Sequence, residues 1–266
     1  MSPTPAELKF RQGVIARHQI ANYLRSSVPT MSGFSLVYQP QADQFGRIVG
    51  AEALLRWDPG CGHNITPDQF VPVLESYGMI ATVGRWVVEE ALCQLVEFRA
   101  RGIALRRMSI NVSAPELTRR GFAPHLMSTV DALGLQPSDV GLELTEGQAI
   151  KDSEAVAKTV RALHDGGYEW EIDDFGMGYA SIRWLRKHKF TGIKLDRSLV
   201  NATDEPPGLI PGVVCLAHAL EMTVVAEGIE TVERREAMLM AGVDLVQGYL
   251  IGRPMPAEQW GLALDT

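Results

Sequence analysis

Eight short apolar runs, helical segments between nearly all of them and a chain of 266 residues predict an α/β fold, a TIM-like (β/α)8 barrel with an antiparallel first strand. Such a barrel typically needs roughly 250 residues, and a composition that is 46% hydrophobic can fill a large single core. A doubly wound open sheet is the structural alternative.

Residues 1–33 read as an N-terminal helical arm or linker, with Phe10, Val14, Ala21 and Leu24 near one face of a helix over 5–27 and the breaker "VPTMSG" after it. The barrel is expected over 34–266. Its apolar runs are "SLVYQP" (35–40), "IVGAEALLRW" (48–57), "MSINVS" (108–113), "VGLELTE" (140–146), "YEWEIDDF" (168–175), "GIKLDR" (192–197), "TVVAEG" (223–228) and "LVQGYL" (245–250). Helical patterns fall at 67–101, 122–133, 153–166, 179–188, 207–221 and 230–241. Only the first pair of runs lacks one. The short connection "QADQFGR" cannot carry a parallel crossover, so these two strands should be antiparallel neighbours.

Composition narrows the function. A formal net charge of −7 disfavours a sequence-blind binder of DNA or RNA polymers, although a small anionic ligand held by metal ions remains compatible. Cys61, Cys93 and Cys215 are odd in number and far apart, which argues against a disulfide framework and for a reducing compartment. The N-terminus has no apolar signal region, and no stretch is apolar for the roughly 18 residues of a spanning helix. A cytoplasmic location is expected.

The informative residues are polar ones inside apolar strands. A strand covered on both faces should be almost continuously apolar. Here nearly every run carries a polar group in its C-terminal part: Gln39, Glu52 with Arg56, Asn111, Glu143 with Glu146, Asp173 with Asp174, Lys194, Glu227 and Gln247. In a barrel these ends converge on one rim, the usual place for chemistry. Several carboxylates converging there repel one another and lose hydration, at several kcal/mol per ion, and divalent cations relieve the conflict. Carboxylates plus the Asn111 amide make an all-oxygen ligand set suited to Mg²⁺ or Mn²⁺. Two such ions would fit phosphoryl chemistry. Asp173 and Asp174 could serve different ions if the chain leaves the sheet at Gly176 and Gly178; a solvated Asp-Gly turn is the plainer reading of "DDFGMG".

The ordered series "EALLRW" (52–57), "NVS" (111–113), "ELTE" (143–146), "DDFGMGYAS" (173–181), "IKLD" (193–196), "VVAEGIET" (224–231) and "QGYLIGRPMP" (247–256) resembles the EAL domain family, cyclic di-GMP-specific phosphodiesterases, over about 34–262. The resemblance implies hydrolysis of cyclic di-GMP to linear pGpG with two Mg²⁺ or Mn²⁺ ions. It implies metal ligation by Glu52, Asn111, Glu143 and Asp173, with Asp174 on the second metal, and Glu227 as the general base toward the attacking water. Lys194 would orient that water and offset phosphate charge, Gln247 would support the site, and Gln39 and Arg56 would hold substrate, Arg56 by a fork matched to phosphate oxygens. Glu146 would anchor the 175–181 loop, which in this family borders a homodimer contact.

Four positions depart from the family pattern: Met177 and Ala180 in that loop, Gly147 after "ELTE", and Gln41, where an aliphatic residue is typical. None removes a ligand. Other polar residues read as structural. "CGH" at 61–63 is a loop fragment, Cys93 and Cys215 are expected in the core, and His18, His125, His164, His188 and His218 have no ligand spacing. Asp196 is expected to pair with a neighbour such as Arg197 or with a helix end. "DEPPG" at 204–208 reads as a flexible connection. Two rivals are a non-cleaving cyclic di-GMP receptor of the same fold, and an enolising or Schiff-base barrel enzyme using Lys194. The intact carboxylates weigh against the first. A lysine ringed by carboxylates should keep its proton, against the second.

Overall fold

The computed structural model describes residues 17–60, 62, 64–119, 121–149, 154–176, 185, 189–202 and 206–261. Phe10, Val14, Cys61, His63, Met177, Gly178, Ala180, His188, nearly all of the helix expected over 179–188 and part of "DEPPG" lie outside them.

Eight strands close into a barrel in chain order: β1 (Phe34–Asp43), β2 (Ile48–Trp57), β3 (Arg107–Asn111), β4 (Val140–Thr145), β5 (Glu169–Phe175), β6 (Gly192–Leu195), β7 (Thr223–Ala226) and β8 (Leu245–Gln247). β1 is antiparallel to both its neighbours, β2 and β8, and all other pairs are parallel. The barrel and its inverted first strand are therefore as the apolar runs predict. β1 is longer than expected and runs to Asp43, so its turn with β2 shrinks to 44–47, where Asp43 accepts the backbone N–H groups of Phe45 and Arg47.

Strand alternation sorts the side chains. In "VGLELT" of β4, Leu142 and Leu144 join the apolar layer under the helices, while Glu143 has the opposite orientation and reaches Lys194 in the lumen. In "GIKL" of β6, Ile193 and Leu195 join the apolar layer and Lys194 sits between them in sequence, fully buried. The helices cover the outside with their apolar stripes; Ile80–Ala100 alone buries eight apolar residues, Val83, Val87 and Leu95 among them. The segment expected as one helix over 67–101 is two, Pro67–Ser76 and Ile80–Ala100. The break falls at Gly78, which takes φ +70°, a conformation that costs glycine little.

Aromatic residues weld β1 to its cover. Phe34, Trp57 and Phe70 pack with ring centroids 5.6–6.4 Å apart, and Phe98 lies between Tyr38 and Trp260. Trp260 is fully buried and donates its indole N–H to the Tyr38 carbonyl at 3.1 Å. A helical stretch over 17–27 packs on the same core through Ala21 and Leu24. Cys93 and Cys215 are exposed rather than in the core, because Ala91, Leu92 and Leu95, and Val214 and Ala217, take the inward positions of their helices. No helix among the described residues is long and apolar enough to cross a membrane.

Beneath the rim the lumen is also polar. Arg107 donates to Glu171 at 2.5 Å and to Glu169 at 2.6 Å, with the Arg107 and Glu171 side chains buried. Removing one member of a buried ion group strands the other's charge and costs about 3–5 kcal/mol, whereas replacing the group with matched apolar residues is often neutral. Arg107→Ala is thus expected to lower unfolding stability by about 3–5 kcal/mol in urea denaturation. Arg107→Met combined with Glu171→Leu should recover most of that loss.

Candidate active site

The period-two alternation that makes the barrel also builds the site. Glu52, Asn111, Glu143, Asp173, Lys194 and Gln247 come from six different strands, and Asp174, Glu227 and Gln39 complete the group. The register makes them neighbours: Gln39 lies opposite Glu52, Asn111 opposite Glu143, and Thr145 opposite Asp173.

Lys194 is the hub. Its Nζ lies 2.7 Å from Glu143, 2.7 Å from Glu227, 3.2 Å from Glu52 and 3.4 Å from Asp173. Burial opposes its charge, but the surrounding Asp173, Glu143, Glu227 and Glu52 outweigh that and hold the ammonium well above its ordinary range. The surrounding carboxylates favour the charged ammonium, which weighs against the enolising and aldolase-like readings, since both need a neutral amine.

Glu52 is the best-held carboxylate. Oε1 accepts the Asn111 amide at 2.6 Å, and Oε2 accepts Gln247 at 2.6 Å and Lys194 at 3.2 Å. Although burial pushes its pKa up, Lys194 and the two amides bring it below the ordinary value. The other carboxylates are shifted upward. Burial, then the Glu52 charge, raises Glu143 well above normal. Burial also raises Asp173, takes Glu227 to about 7, and with Asp173 and Asp196 takes Asp174 to about 6.

Asp173 and Asp174 face one site because the backbone abandons the pleat between them. The β5–β6 register shifts between Ile172 and Phe175, and Asp174 adopts φ +55°. A left-handed non-glycine residue is uncommon, and aspartate is among the types that tolerate it best. The strand nevertheless continues to Phe175, so the departure occurs at Asp174 itself, ahead of the Gly176 exit expected from sequence. Carboxylate oxygens of Asp173, Asp174 and Glu227 can all lie within 4.8 Å of one another, the one such cluster among the described residues.

Glu146 sits just beyond the end of β4, as the first residue of a one-turn helix. It is buried and accepts the Gly176 N–H at 3.2 Å. Arg56 is half-buried, donates to the Leu55 carbonyl at 2.9 Å, and has no ion pair among the described residues. Asp196 caps the Arg197–Val200 helix, accepting the Ser198 N–H at 2.8 Å.

Glu52, Glu143, Asp173, Asp174 and Glu227 line the floor of a cavity of about 560 Å³, within the range of small-molecule sites. Its wall includes residues that sequence reading passed over: Pro67, Asp68 and Val71 of the Pro67–Ser76 helix, Arg197, and the half-exposed Tyr249. Tyr249 and Arg197 each lie close to a polar strand end, a usable signal. The helix residues carried none, since only the folded chain sets that helix over the barrel mouth.

A cation fits this floor. Glu143 Oε1 and Asp173 Oδ1 are buried without a hydrogen bond, Asp173 Oδ1 having only its long ion pair to Lys194. Five carboxylates face one ammonium, and every donor on offer is a hard oxygen, suited to Mg²⁺ or Mn²⁺ and not to a thiolate-seeking metal.

Fold and site together define an α/β barrel with a carboxylate-lined mouth of the kind that takes up hard divalent cations. The sequence matches the EAL domain family over residues 22–254, and the chain belongs to that family. It is 35% identical to the bifunctional diguanylate cyclase/cyclic di-GMP phosphodiesterase MucR of Pseudomonas aeruginosa, over 84% of this chain and 33% of MucR. It is 37% identical to the cyclic di-GMP phosphodiesterase PA2567 of the same species, over 89% of this chain and 41% of that protein. The chain thus spans less than half the length of these relatives. The solved structure of the PaMucR phosphodiesterase in complex with c-di-GMP superposes with a TM-score of 0.83 at 33% identity, covering 91% of this chain and 99% of that one.

The raised carboxylates give a pH signature. A carboxylate whose folded pKa lies above its unfolded value binds extra protons in the native state, so its contribution is present at low pH and lost as pH rises through the folded pKa. Glu227 and Asp174 place that window between about 4 and 7, and Glu116, raised to about 7 by burial, acts in the same direction. With EDTA present, unfolding stability is expected to fall by about 1.4 kcal/mol or more between about pH 5 and 7, the worth of one unit on one group. Saturating Mn²⁺ should reverse the slope, because ligands must be deprotonated. Equilibrium denaturation across this range is the measurement.

Proposed function

We propose that this barrel hydrolyses cyclic di-GMP to linear pGpG with the help of two divalent cations. The observation that carries the reading is the ring of Glu52, Glu143, Asp173 and Glu227 about Lys194 at the foot of the cavity, with Arg56 on its wall. The names of MucR, PA2567 and the PaMucR complex support the substrate.

Glu52, Asn111, Glu143, Asp173 and Asp174 would hold the cations. When bound, these supply Lewis-acid polarisation of the phosphodiester and neutralise charge that develops on it. Arg56 presents its guanidinium fork to phosphate oxygens, and Gln39 holds substrate beside it. Glu227 takes the proton of the attacking water; a carboxylate raised to about 7 is well matched to that task near neutral pH. Oxygen of water bonds to phosphorus, the bond to the 3′ oxygen breaks, and that oxygen takes up a proton. Lys194 keeps its own proton throughout, orienting the water and offsetting charge on the phosphate. Gln247 supports the floor by fixing Glu52. Glu146 holds the start of the 175–181 loop through Gly176, and a homodimer bordered by that loop belongs to the same reading.

Incubation with cyclic di-GMP and Mn²⁺ followed by chromatography tests the proposal directly: pGpG should accumulate, and its absence with tight nucleotide binding would indicate a receptor instead. Glu52→Ala is expected to abolish turnover in a folded protein. Glu227→Gln should still bind cyclic di-GMP by calorimetry while hydrolysis falls by about 10² or more, the scale of general-base loss; parallel loss of binding would recast Glu227 as a ligand. Glu146→Ala should leave the melting temperature nearly unchanged, weaken metal affinity, turnover and self-association, and regain part of its turnover at high Mg²⁺. Wild-type activity of Glu146→Ala at low metal would reduce that residue to a bystander.

A further inference from the structure

Gln41 is fully buried in the lumen. It lies opposite Gln247 in the β1–β8 register and donates its amide Nε2 to Gln247 Oε1 at 2.9 Å. Gln247 in turn donates Nε2 to Glu52 Oε2 at 2.6 Å and to Gln39 Oε1 at 3.1 Å. The direction of this chain is forced from one end. An ionised Glu52 can only accept, so Gln247 must turn its NH₂ toward it, which leaves Gln247 Oε1 needing a donor. Gln41 is that donor.

The arrangement has a cost that packing alone does not repay. Gln41 Oε1 is buried with no hydrogen bond, a defect an aliphatic side chain would not carry, since a buried unsatisfied acceptor costs about 1–3 kcal/mol. The surrounding backbone is shaped to admit the amide as well. The β1–β2 register shifts at Gln41/Ala42, and Gly50 lies opposite, where a Cβ would stand 2.9 Å from Gln41 Oε1. With an aliphatic residue at 41, Gln247 Oε1 would lose its partner. Its NH₂ would still face Glu52 Oε2 and Gln39 Oε1, but the opposite end of the amide would be unanchored, so the group pressing on Glu52 would be held less rigidly.

We propose that Gln41 is a positioning residue of this chain: by anchoring the Oε1 end of the Gln247 amide it clamps the Glu52 carboxylate in the attitude in which it receives a divalent cation. The inference rests on Glu52 being a cation ligand. It gives the lumen of this chain a three-amide relay, Gln41 to Gln247 to Glu52 with Gln39 at its side.

The test is Mn²⁺ binding by calorimetry without nucleotide, alongside thermal melting in EDTA, for the wild type, Glu52→Ala, Gln41→Leu, Gln247→Ala and the double variant Gln41→Leu/Gln247→Ala. Loss of a partner behind a metal ligand typically weakens affinity by 10–100-fold, so Gln41→Leu should bind Mn²⁺ about tenfold more weakly while melting no lower than wild type. In the Gln247→Ala background the same substitution should change affinity by less than about twofold, because the relay is already cut. Unbranched Gln41→Met, close to glutamine in shape, replaces Gln41→Leu if the latter fails to fold, with the same expectation. Wild-type Mn²⁺ affinity in the variant, or an undiminished effect without Gln247, overturns the positioning role and leaves the Glu52 assignment standing. Equal Mn²⁺ affinity of wild type and Glu52→Ala overturns that assignment and the inference with it.

Discussion

A protonated lysine sealed at the centre of a barrel mouth is the constraint on which the rest of this structure depends. Lys194 loses its hydration entirely, a penalty of several kcal/mol that only close counter-charges offset. Four carboxylates supply them within 3.4 Å, and Asp174 adds a fifth nearby. That overshoots. One ammonium cannot balance five carboxylates in a low-dielectric pocket, so the excess is resolved either by protons, as the upward shifts of Glu143, Asp173, Asp174 and Glu227 register, or by divalent cations. In the proposed reading the site is poised between two ways of neutralising the same charge, and affinity for cations and pH dependence become one property seen from two sides.

Such a hub tolerates little slack. Because side chains alternate strictly along a strand, a slip of one residue in β2, β4 or β6 would send Glu52, Glu143 or Lys194 into the apolar layer beneath the helices. Below the hub the lumen is polar too, with Arg107 tied to Glu169 and Glu171, so the usual apolar filling of a small barrel is replaced by paired charges and amides. Asp174 contributes in the opposite manner, through a left-handed backbone that carries strain of order 1–3 kcal/mol and turns a second carboxylate into the site. Glu146 steadies the chain immediately after it at Gly176.

Much of this was legible in the sequence, for identifiable reasons. Strand order followed from eight apolar runs with helical spacers, and the inverted first strand from a connection too short to cross over. Charged residues inside apolar runs, such as Glu52 in "AEALL" and Lys194 in "GIKLD", pointed to the lumen because packing has no other use for them. What stayed hidden depends on tertiary detail. The αL turn at Asp174 is a choice of one backbone angle, and the sequence signal lay two residues later at Gly176. Cys93 and Cys215 sit in helices whose neighbouring positions had the stronger claim on the core. The cavity wall from Pro67–Ser76 arises from how a helix lies across the barrel, which periodicity does not encode. Gln41 was visible as an unusual residue, but its partner came from a strand 206 positions away.

The competition between protons and cations is most directly measured by titrating Mn²⁺ into the protein by calorimetry at about pH 6.5, between the Asp174 and Glu227 values, in buffers of different ionisation enthalpy. If cations displace protons from the carboxylates around Lys194, the observed enthalpy will vary linearly with buffer ionisation enthalpy, and the slope will report release of about one proton or more per protein. A slope of zero with Mn²⁺ bound would contradict this, because it would mean that the carboxylates already carry their full charge before any cation arrives.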